Sequence, residues 1–335
     1  MSRARTCFAS AALIAAPIAL AQPLQTDYDA EFFLLFDSGA LVRGELSVGI
    51  TDDVALSPLG QTSSALDIAP DGTLYSLGGT ADGSPWSVGR VDPESGTVET
   101  VLAAADVSAD IPGTDYLRAL GFAPDNSFYL VASSIAGGGS DVVFAHYTLD
   151  GTLLDWFRPT DASGNPVYWP TTAVAIRHDG MIITVENYGP HSSGVQSSAR
   201  IALVSPATGI LTVIGNFPAE ENQCRGIAIV GDTAFLALGS RGDRLHSLDP
   251  YTGKTGFVMD LPGASNTQTV WGFAVAPDPC AADMTYDDAV SPDDINTFAD
   301  AFLTGSTAAD LDYSRTRSVD DIEVFVDSFL RGCND

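Results

Sequence analysis

Positive charge is the scarcest commodity in this chain. Lys254 is the only lysine among 335 residues, and Lys and Arg together number 15 against 43 Asp and Glu. The formal net charge is -28. Phosphate backbones and anionic membrane surfaces repel such a chain, so nucleic acid is excluded as a partner. With a single lysine, Schiff-base and lysine–phosphate chemistry is almost excluded as well. Histidine numbers four, and His146, His178, His191 and His246 are scattered without zinc-ligand spacing. There is no Gly-x-Ser-x-Gly nucleophile motif and no Gly-rich phosphate loop ahead of a helix. Cysteine also numbers four: Cys7, Cys224, Cys280 and Cys333. Beyond the first 21 residues no run is long and apolar enough to cross a membrane. What the chain does have is apolar material, 45% hydrophobic, with 32 Gly and 19 Pro. That is enough for a sizeable core and rules out wholesale disorder. The length allows roughly two domains, and the composition leans to all-β.

Residues 1–21 read MSRARTCFASAALIAAPIALA. Arg3 and Arg5 form a short positive region, an apolar stretch runs from Phe8 to Leu20, and Ala19 and Ala21 are small where a signal peptidase reads. The pattern predicts a secretory signal cleaved after Ala21. The alternative, a membrane anchor, is disfavoured because Pro17 interrupts a run already shorter than the ~20 residues of a span. The protein is therefore expected to be secreted, extracellular or at the cell surface. Cys7 leaves with the signal. Cys280 and Cys333 bracket the last acidic segment, so a disulfide between them could staple its ends in an oxidising compartment. Cys224 is left over, and a free cysteine is often simply buried.

The middle of the chain repeats itself. LDIAPDGTLYSL (66–77) is echoed by LGFAPDNSFYLV (120–131), VAIRHDGMIITV (174–185), IAIVGDTAFLAL (227–238) and FAVAPDP (273–279). In each unit an apolar strand ends in a turn built on Asp71, Asp125, Asp179, Asp232 or Asp278, and a second strand follows at once, as in a tight hairpin. Third strands read WSVGRVD (86–92), VVFAHYTLD (142–150), ARIALVS (199–205) and RLHSLD (244–249). A further turn follows, twice as Asp-Pro-x-x-Gly from Asp92 and from Asp249, and then a fourth strand such as TVETVL (97–102) or LTVIGNF (211–217). Four antiparallel strands per ~50-residue repeat is the pattern of a β-propeller blade. The last unit supplies only a first strand, TVWGFAVAP (269–277). The segments FFLLFDSG (32–39), LVRGELSV (41–48) and DVALSP (53–58) supply the three it lacks. Joining the two ends predicts a mainly β fold, a five-bladed propeller spanning 22–279 and closed by N- and C-terminal strands. A β-sandwich or open solenoid would explain the strands but not the complementary ends. In its strand–turn rhythm, residues 28–279 resemble the broad family of NHL-, YncE- and lactonase-like propellers, a likeness that implies a fold and little chemistry.

Residues 280–335 differ in composition and carry a duplication. DMTYDDAVSPDDINTFADAFL (283–303) aligns with DLDYSRTRSVDDIEVFVDSFL (310–330) at a spacing of 27. Ile295, Phe298 and Phe302, and again Ile322, Phe325 and Phe329, fall at helical spacing. Two such helices could pack face to face. Each is preceded by an oxygen-rich loop like the one from which an EF-hand holds calcium at positions 1, 3, 5, 7, 9 and 12. The first loop offers Asp283, Thr285, Asp287, the Ala289 carbonyl, Ser291 through water, and Asp294. The second offers Asp310, Asp312, Ser314, the Thr316 carbonyl, Ser318 and Asp321. Position 6, usually Gly, is Asp288 in one loop and Arg315 in the other. Arg317 adds a second positive charge, so the first loop is the better candidate for Ca2+. This segment, with Cys280 near its start and Gly332-Cys333 at its close, resembles the GC-type dockerins found at the C-termini of secreted planctomycete proteins. The resemblance implies a small helical module that binds a cohesin-like partner and attaches the chain to a larger assembly or the cell surface.

On a propeller, ligands meet the axis where first strands begin. The residues there are Ser64, Arg118, Thr172, Arg225 and Trp271. The two arginines could hold an anion and Trp271 could stack on a sugar face; the plainer reading is structural arginines paired with some of the many carboxylates. A glycosidase needs two carboxylates across the scissile bond, yet the first strands carry only Asp67, and nothing pairs Glu186 with Glu221. The expectation is a non-catalytic propeller that recognises an extracellular ligand or protein. The alternative is a surface-tethered hydrolase, lyase or lactonase acting on polysaccharide or a related extracellular substrate.

Overall fold

The computed structural model describes the chain from residue 31 to residue 331, apart from 37–38, 46–48, 57–60, 81–85, 115, 134–141, 168–170, 178, 187–198, 218–222, 231–232, 240–241, 262–268, 277–281, 283, 285–289, 305–308, 310 and 312–316. The expected signal peptide and both cysteines of the expected disulfide, Cys280 and Cys333, lie outside the described residues.

Among the described residues, twenty strands form five four-stranded antiparallel sheets. Blade 1 is β4 (Gln61–Ile68), β5 (Leu74–Thr80), β6 (Ser87–Val91) and β7 (Val98–Ala103). Blade 2 is β8 (Tyr116–Phe122), β9 (Ser127–Ser133), β10 (Val142–Thr148) and β11 (Leu153–Phe157). Blade 3 is β12 (Thr171–Ile176), β13 (Ile182–Glu186), β14 (Arg200–Val204) and β15 (Leu211–Asn216). Blade 4 is β16 (Cys224–Val230), β17 (Thr233–Leu238), β18 (Arg244–Leu248) and β19 (Thr255–Asp260). Blade 5 is composite: β20 (Val270–Val275) pairs with β1 (Glu31–Phe36), followed by β2 (Leu41–Glu45) and β3 (Gly49–Leu56). The protein is thus a five-bladed β-propeller, closed by its two ends in the order read from the repeat. The short helix α1 (Ala104–Asp110), after β7, was not expected.

The turns explain the repeat. In the first hairpins of blades 1 to 3, the carboxylates of Asp71, Asp125 and Asp179 accept the backbone N–H two residues on, at 2.9, 3.0 and 3.1 Å. The residue after each aspartate adopts positive φ: Gly72 at 82°, Asn126 at 63° and Gly180 at 79°. Glycine does so without strain and asparagine at little cost, which is why those types recur there.

The core lies between blades rather than within them. Each of the five seams has its own apolar cluster. β1 shows how: Phe32, Leu34 and Phe36 face blade 4, while Phe33 and Leu35 face blade 1. All five are buried, so the strand reads as a continuous apolar run instead of an alternating one. Near the axis the blades must taper. The residue after each site position is small: Ala65, Ala119, Ala173, Gly226 and Gly272. A Cβ on Gly226 would sit 2.7 Å from the backbone nitrogen and Cβ of Phe273, and one on Gly272 would sit 2.8 Å from the Cβ of Leu66.

The C-terminal helices are α2 (Pro292–Thr304) and α3 (Val319–Arg331). They pack through Phe298 and Phe325, whose rings stack at 4.3 Å. Ile295 and Ile322, which share the helical spacing, are not covered by this packing and stay 44% and 39% exposed.

Gly226→Ala is expected to push the seam between blades 4 and 5 apart and to cost about 2 kcal/mol. Gly72→Ala meets no neighbouring atom and is expected to cost about 1 kcal/mol through positive φ alone. Urea unfolding of the two variants checks the ranking.

Candidate functional site

All five positions picked from the repeat share one backbone feature. In β4, Ser63 pairs with Gly78 and Ala65 with Leu77, so Ser64 is left opposite no residue. Arg118 is skipped in β8, Thr172 in β12, Arg225 in β16 and Trp271 in β20. Each is the extra residue of a β-bulge, a device that re-aims a side chain. The sequence showed the positions but not the bulges, because a bulge is a relation between two strands.

Neighbouring first strands touch in a closed cycle around the axis. Where they begin, Arg118, Thr172, Arg225 and Trp271 line one pocket of about 230 Å3, together with Tyr116, Thr171 and Cys224. No Asp or Glu is among these lining residues. The Arg118 guanidinium lies 5.2 Å over the Tyr116 ring, and Nε donates to Ser133 Oγ at 2.7 Å. The Arg225 guanidinium lies 5.5 Å over Trp271, and Nη2 donates to Gln223 Oε1. The Trp271 face expected to receive a sugar thus carries a guanidinium. Thr172 Oγ1 donates to the Cys224 carbonyl at 3.2 Å and ties blade 3 to blade 4. Cys224 is buried, and that burial pushes its thiol up to about 12. A thiol so placed is inert.

Three residues along the same strand, at the position held elsewhere by Gly121, Ala175, Ala228 and Ala274, blade 1 has Asp67. Oδ2 crosses the seam to accept the Phe122 N–H of blade 2 at 2.8 Å, and Oδ1 accepts its neighbour Ile68 N–H at 2.9 Å. Desolvation by the surrounding protein pushes this carboxyl up to about 7, against the two N–H donors that pull it down. It is a seam-bridging group that no repeat argument foresees, since it breaks the repeat.

Blade 2 also contains the order of a hydrolase triad. His146 Nε2 lies 2.7 Å from Ser127 Oγ, and Nδ1 lies 3.3 Å from Asp155 Oδ1. The resemblance fails on the protons. Ser127 is buried and gives its one hydroxyl proton to Asp125 Oδ1 at 2.5 Å. That bond holds the Asp125 carboxyl below its usual range. A nucleophile would pass that proton to the imidazole instead. Tyr129 stacks on the His146 ring at 4.3 Å and completes a structural network. Glu186 is fully buried and ion-paired to Arg200. Glu221, the other glutamate weighed and left unpaired in the sequence, lies outside the described residues.

Of the expected calcium ligands, only Ser291, Asp294, Ser318 and Asp321 are described. Asp283, Thr285, Asp287, Ala289, Asp310, Asp312, Ser314 and Thr316 lie outside the described residues. Asp294 Oδ2 accepts the Ser291 N–H at 2.8 Å, and Asp321 Oδ2 accepts the Ser318 N–H at 2.7 Å. Both aspartates are buried. This is one half of a capping box, repeated at the start of α2 and of α3.

No family model and no curated protein matches the chain. Among solved structures it is similar to TolB from Acinetobacter baumannii, at 16% identity over 75% of this chain and 67% of that one, with a TM-score of 0.41. It is also similar to a protein of unknown function from Bacteroides caccae, at 8% identity over 74% of this chain and 99% of that one, with a TM-score of 0.43. No function follows from likenesses of this kind.

Asp67 carries a pH dependence with a definite sign. An unfolded aspartate titrates near ~3.9, whereas the folded carboxyl titrates at about 7. Between the two the folded state holds a proton that the unfolded state has released, so this group's contribution to stability falls as pH rises from about 4 to about 7. Asp67→Asn is expected to flatten that part of the stability profile. Urea unfolding of both proteins across the window tests it, and parallel profiles would refute the assignment.

Proposed function

We propose that this protein is a secreted β-propeller that recognises an extracellular ligand without catalysis, held at a cell surface or in a larger assembly by a dockerin-like C-terminal module. The observation that carries the docking part is the apolar face shared by α2 and α3. Ile295, Phe302 and Leu303 on one helix and Ile322, Val326 and Leu330 on the other surround a groove of about 410 Å3 with almost no polar lining. Leu303 and Leu330 are 83% and 77% exposed. Large side chains left outside at matching positions of a duplicated unit fit a protein partner better than water. The fitting partner is a cohesin-like module with an apolar face of its own.

Calcium belongs to the same reading. Asp294 and Asp321 stand at position 12 of the two loops, and a carboxylate has two oxygens, one to cap the helix and one to turn toward a cation. Binding would then couple loop order to helix start. Recognition is preferred to catalysis because the pocket at the axis is lined, among the described residues, by arginines, aromatics and hydroxyls, where glycoside cleavage would use a carboxylate pair.

Calorimetry of the intact mature protein should show calcium binding at millimolar concentration, with the first loop contributing most. Asp287→Asn should weaken it several-fold, and absence of any heat or thermal shift at several millimolar would remove calcium from the reading. Ile295→Asp combined with Ile322→Asp should leave secretion and the propeller intact but move the protein from the cell envelope to the medium. Unchanged envelope attachment would refute docking through this face.

A further inference from the structure

The C-terminal segment places its apolar face in a strongly acidic setting. Residues 280–335 hold 13 Asp and Glu against three Arg. The helices α2 and α3 carry seven of those acids and one of those arginines. The duplication repeats the charge as well as the apolar spacing: Asp293, Asp294 and Asp300 recur as Asp320, Asp321 and Asp327. Filling both loops with Ca2+ would reduce this charge without reversing its sign.

Helical geometry puts part of that charge at the edge of the groove. Residues three and four apart are neighbours on a helix surface. Asp300 therefore stands beside Leu303, and Glu323 beside Val326; Leu303 and Val326 both line the groove. Asp300 and Glu323 are exposed, as are Leu303 and Val326. The face is thus an apolar strip with a carboxylate on the border of each helix. Interfaces have the same anatomy, a centre that excludes water and a rim that stays wet.

Such a border selects the occupant. A second copy of this chain would bring an equally acidic border against it, and like charges facing across an interface oppose association. An anionic lipid surface meets the same repulsion, and helices that lie among lipid headgroups carry Lys and Arg beside their apolar face. Resting on the reading that this face docks the protein, we propose that its partner is a protein surface whose apolar strip is edged by Lys and Arg. The apolar contact holds the complex together, and the opposite charges set its orientation and speed its formation.

The test is sedimentation of the intact mature protein, with calcium present, on envelope fragments of the secreting cell washed free of it. Binding should weaken about tenfold or more between ~0.1 M and ~1 M salt, where the Debye length drops from ~10 to ~3 Å. A purely apolar contact would hold over that range. Asp300→Asn with Glu323→Gln should weaken binding several-fold. Asp300→Lys with Glu323→Lys should weaken it about tenfold or more, or ~1.4 kcal/mol. Circular dichroism checks that the variants keep their helices, and the neutral pair serves if the lysine pair misfolds. Salt-independent binding overturns the basic partner and leaves docking in place. So does binding unmoved in the folded charge variants but lost in Ile295→Asp with Ile322→Asp. Binding unmoved in all these variants, or no binding at low salt, removes docking as well. Binding that survives protease treatment of the fragments would put lipid on the face. A dimer of the protein alone that tightens with salt in ultracentrifugation would put a second copy there. Either overturns the proposal.

Discussion

Everything in this structure depends on the pairing of β1 with β20. Phe32 lies opposite Val275 and Leu35 opposite Gly272, residues separated by most of the chain. A propeller left open there would expose the edges of two strands and two apolar blade faces. Closure removes the edges and buries β1 on both sides at once, Phe32 against Phe273 and blade 4, Leu35 and Phe33 against blade 1. The contact is long in sequence and therefore costly in chain entropy. It is made tolerable by a six-residue strand that is apolar at five positions.

Once the ring is closed, geometry near the axis follows from crowding. Strands converge, so the residues facing the next blade must be small, and glycine appears where the approach is closest, at Gly226 and Gly272. The bulge just before each small residue takes one residue out of the ladder. Five bulges at one level set five variable positions on a nearly invariant frame, and Arg118, Thr172, Arg225 and Trp271 meet in one pocket there. Function can then change at the rim without changing the packing below it. Asp67 is the exception that shows the rule: where its counterparts have only a methyl group or hydrogen, its carboxylate spans the seam to Phe122.

The abundant aspartates have structural work as well. Many accept backbone N–H groups at turns, as Asp71, Asp92, Asp161 and Asp249 do. A carboxylate is acceptor-only when ionised and reaches the N–H two residues on. An acidic chain can therefore stay well folded without pairing each acid to a base. Arg177 shows what one of the few bases does. It pairs with Asp179, donates to the Pro250 carbonyl at 3.1 Å and lies 3.7 Å over the Tyr251 ring, joining blade 3 to blade 4.

The sequence by itself determined the number of blades, the strand order and the composite closure, because turn chemistry and strand alternation are local and recur at each repeat. It also placed the five rim positions, from Ser64 to Trp271, since they stand at a constant offset from the turns, and it placed both C-terminal helices. Tertiary structure alone decided what those positions mean. That Trp271 carries the Arg225 guanidinium, that Ser127 spends its proton on Asp125, that Asp67 serves a neighbouring blade, and that Ile295 and Ile322 stay outside the helix pair are facts about residues distant in sequence or on facing strands. Local pattern records which way a side chain can point; only the packed neighbours set its partner, its solvation and hence its chemistry.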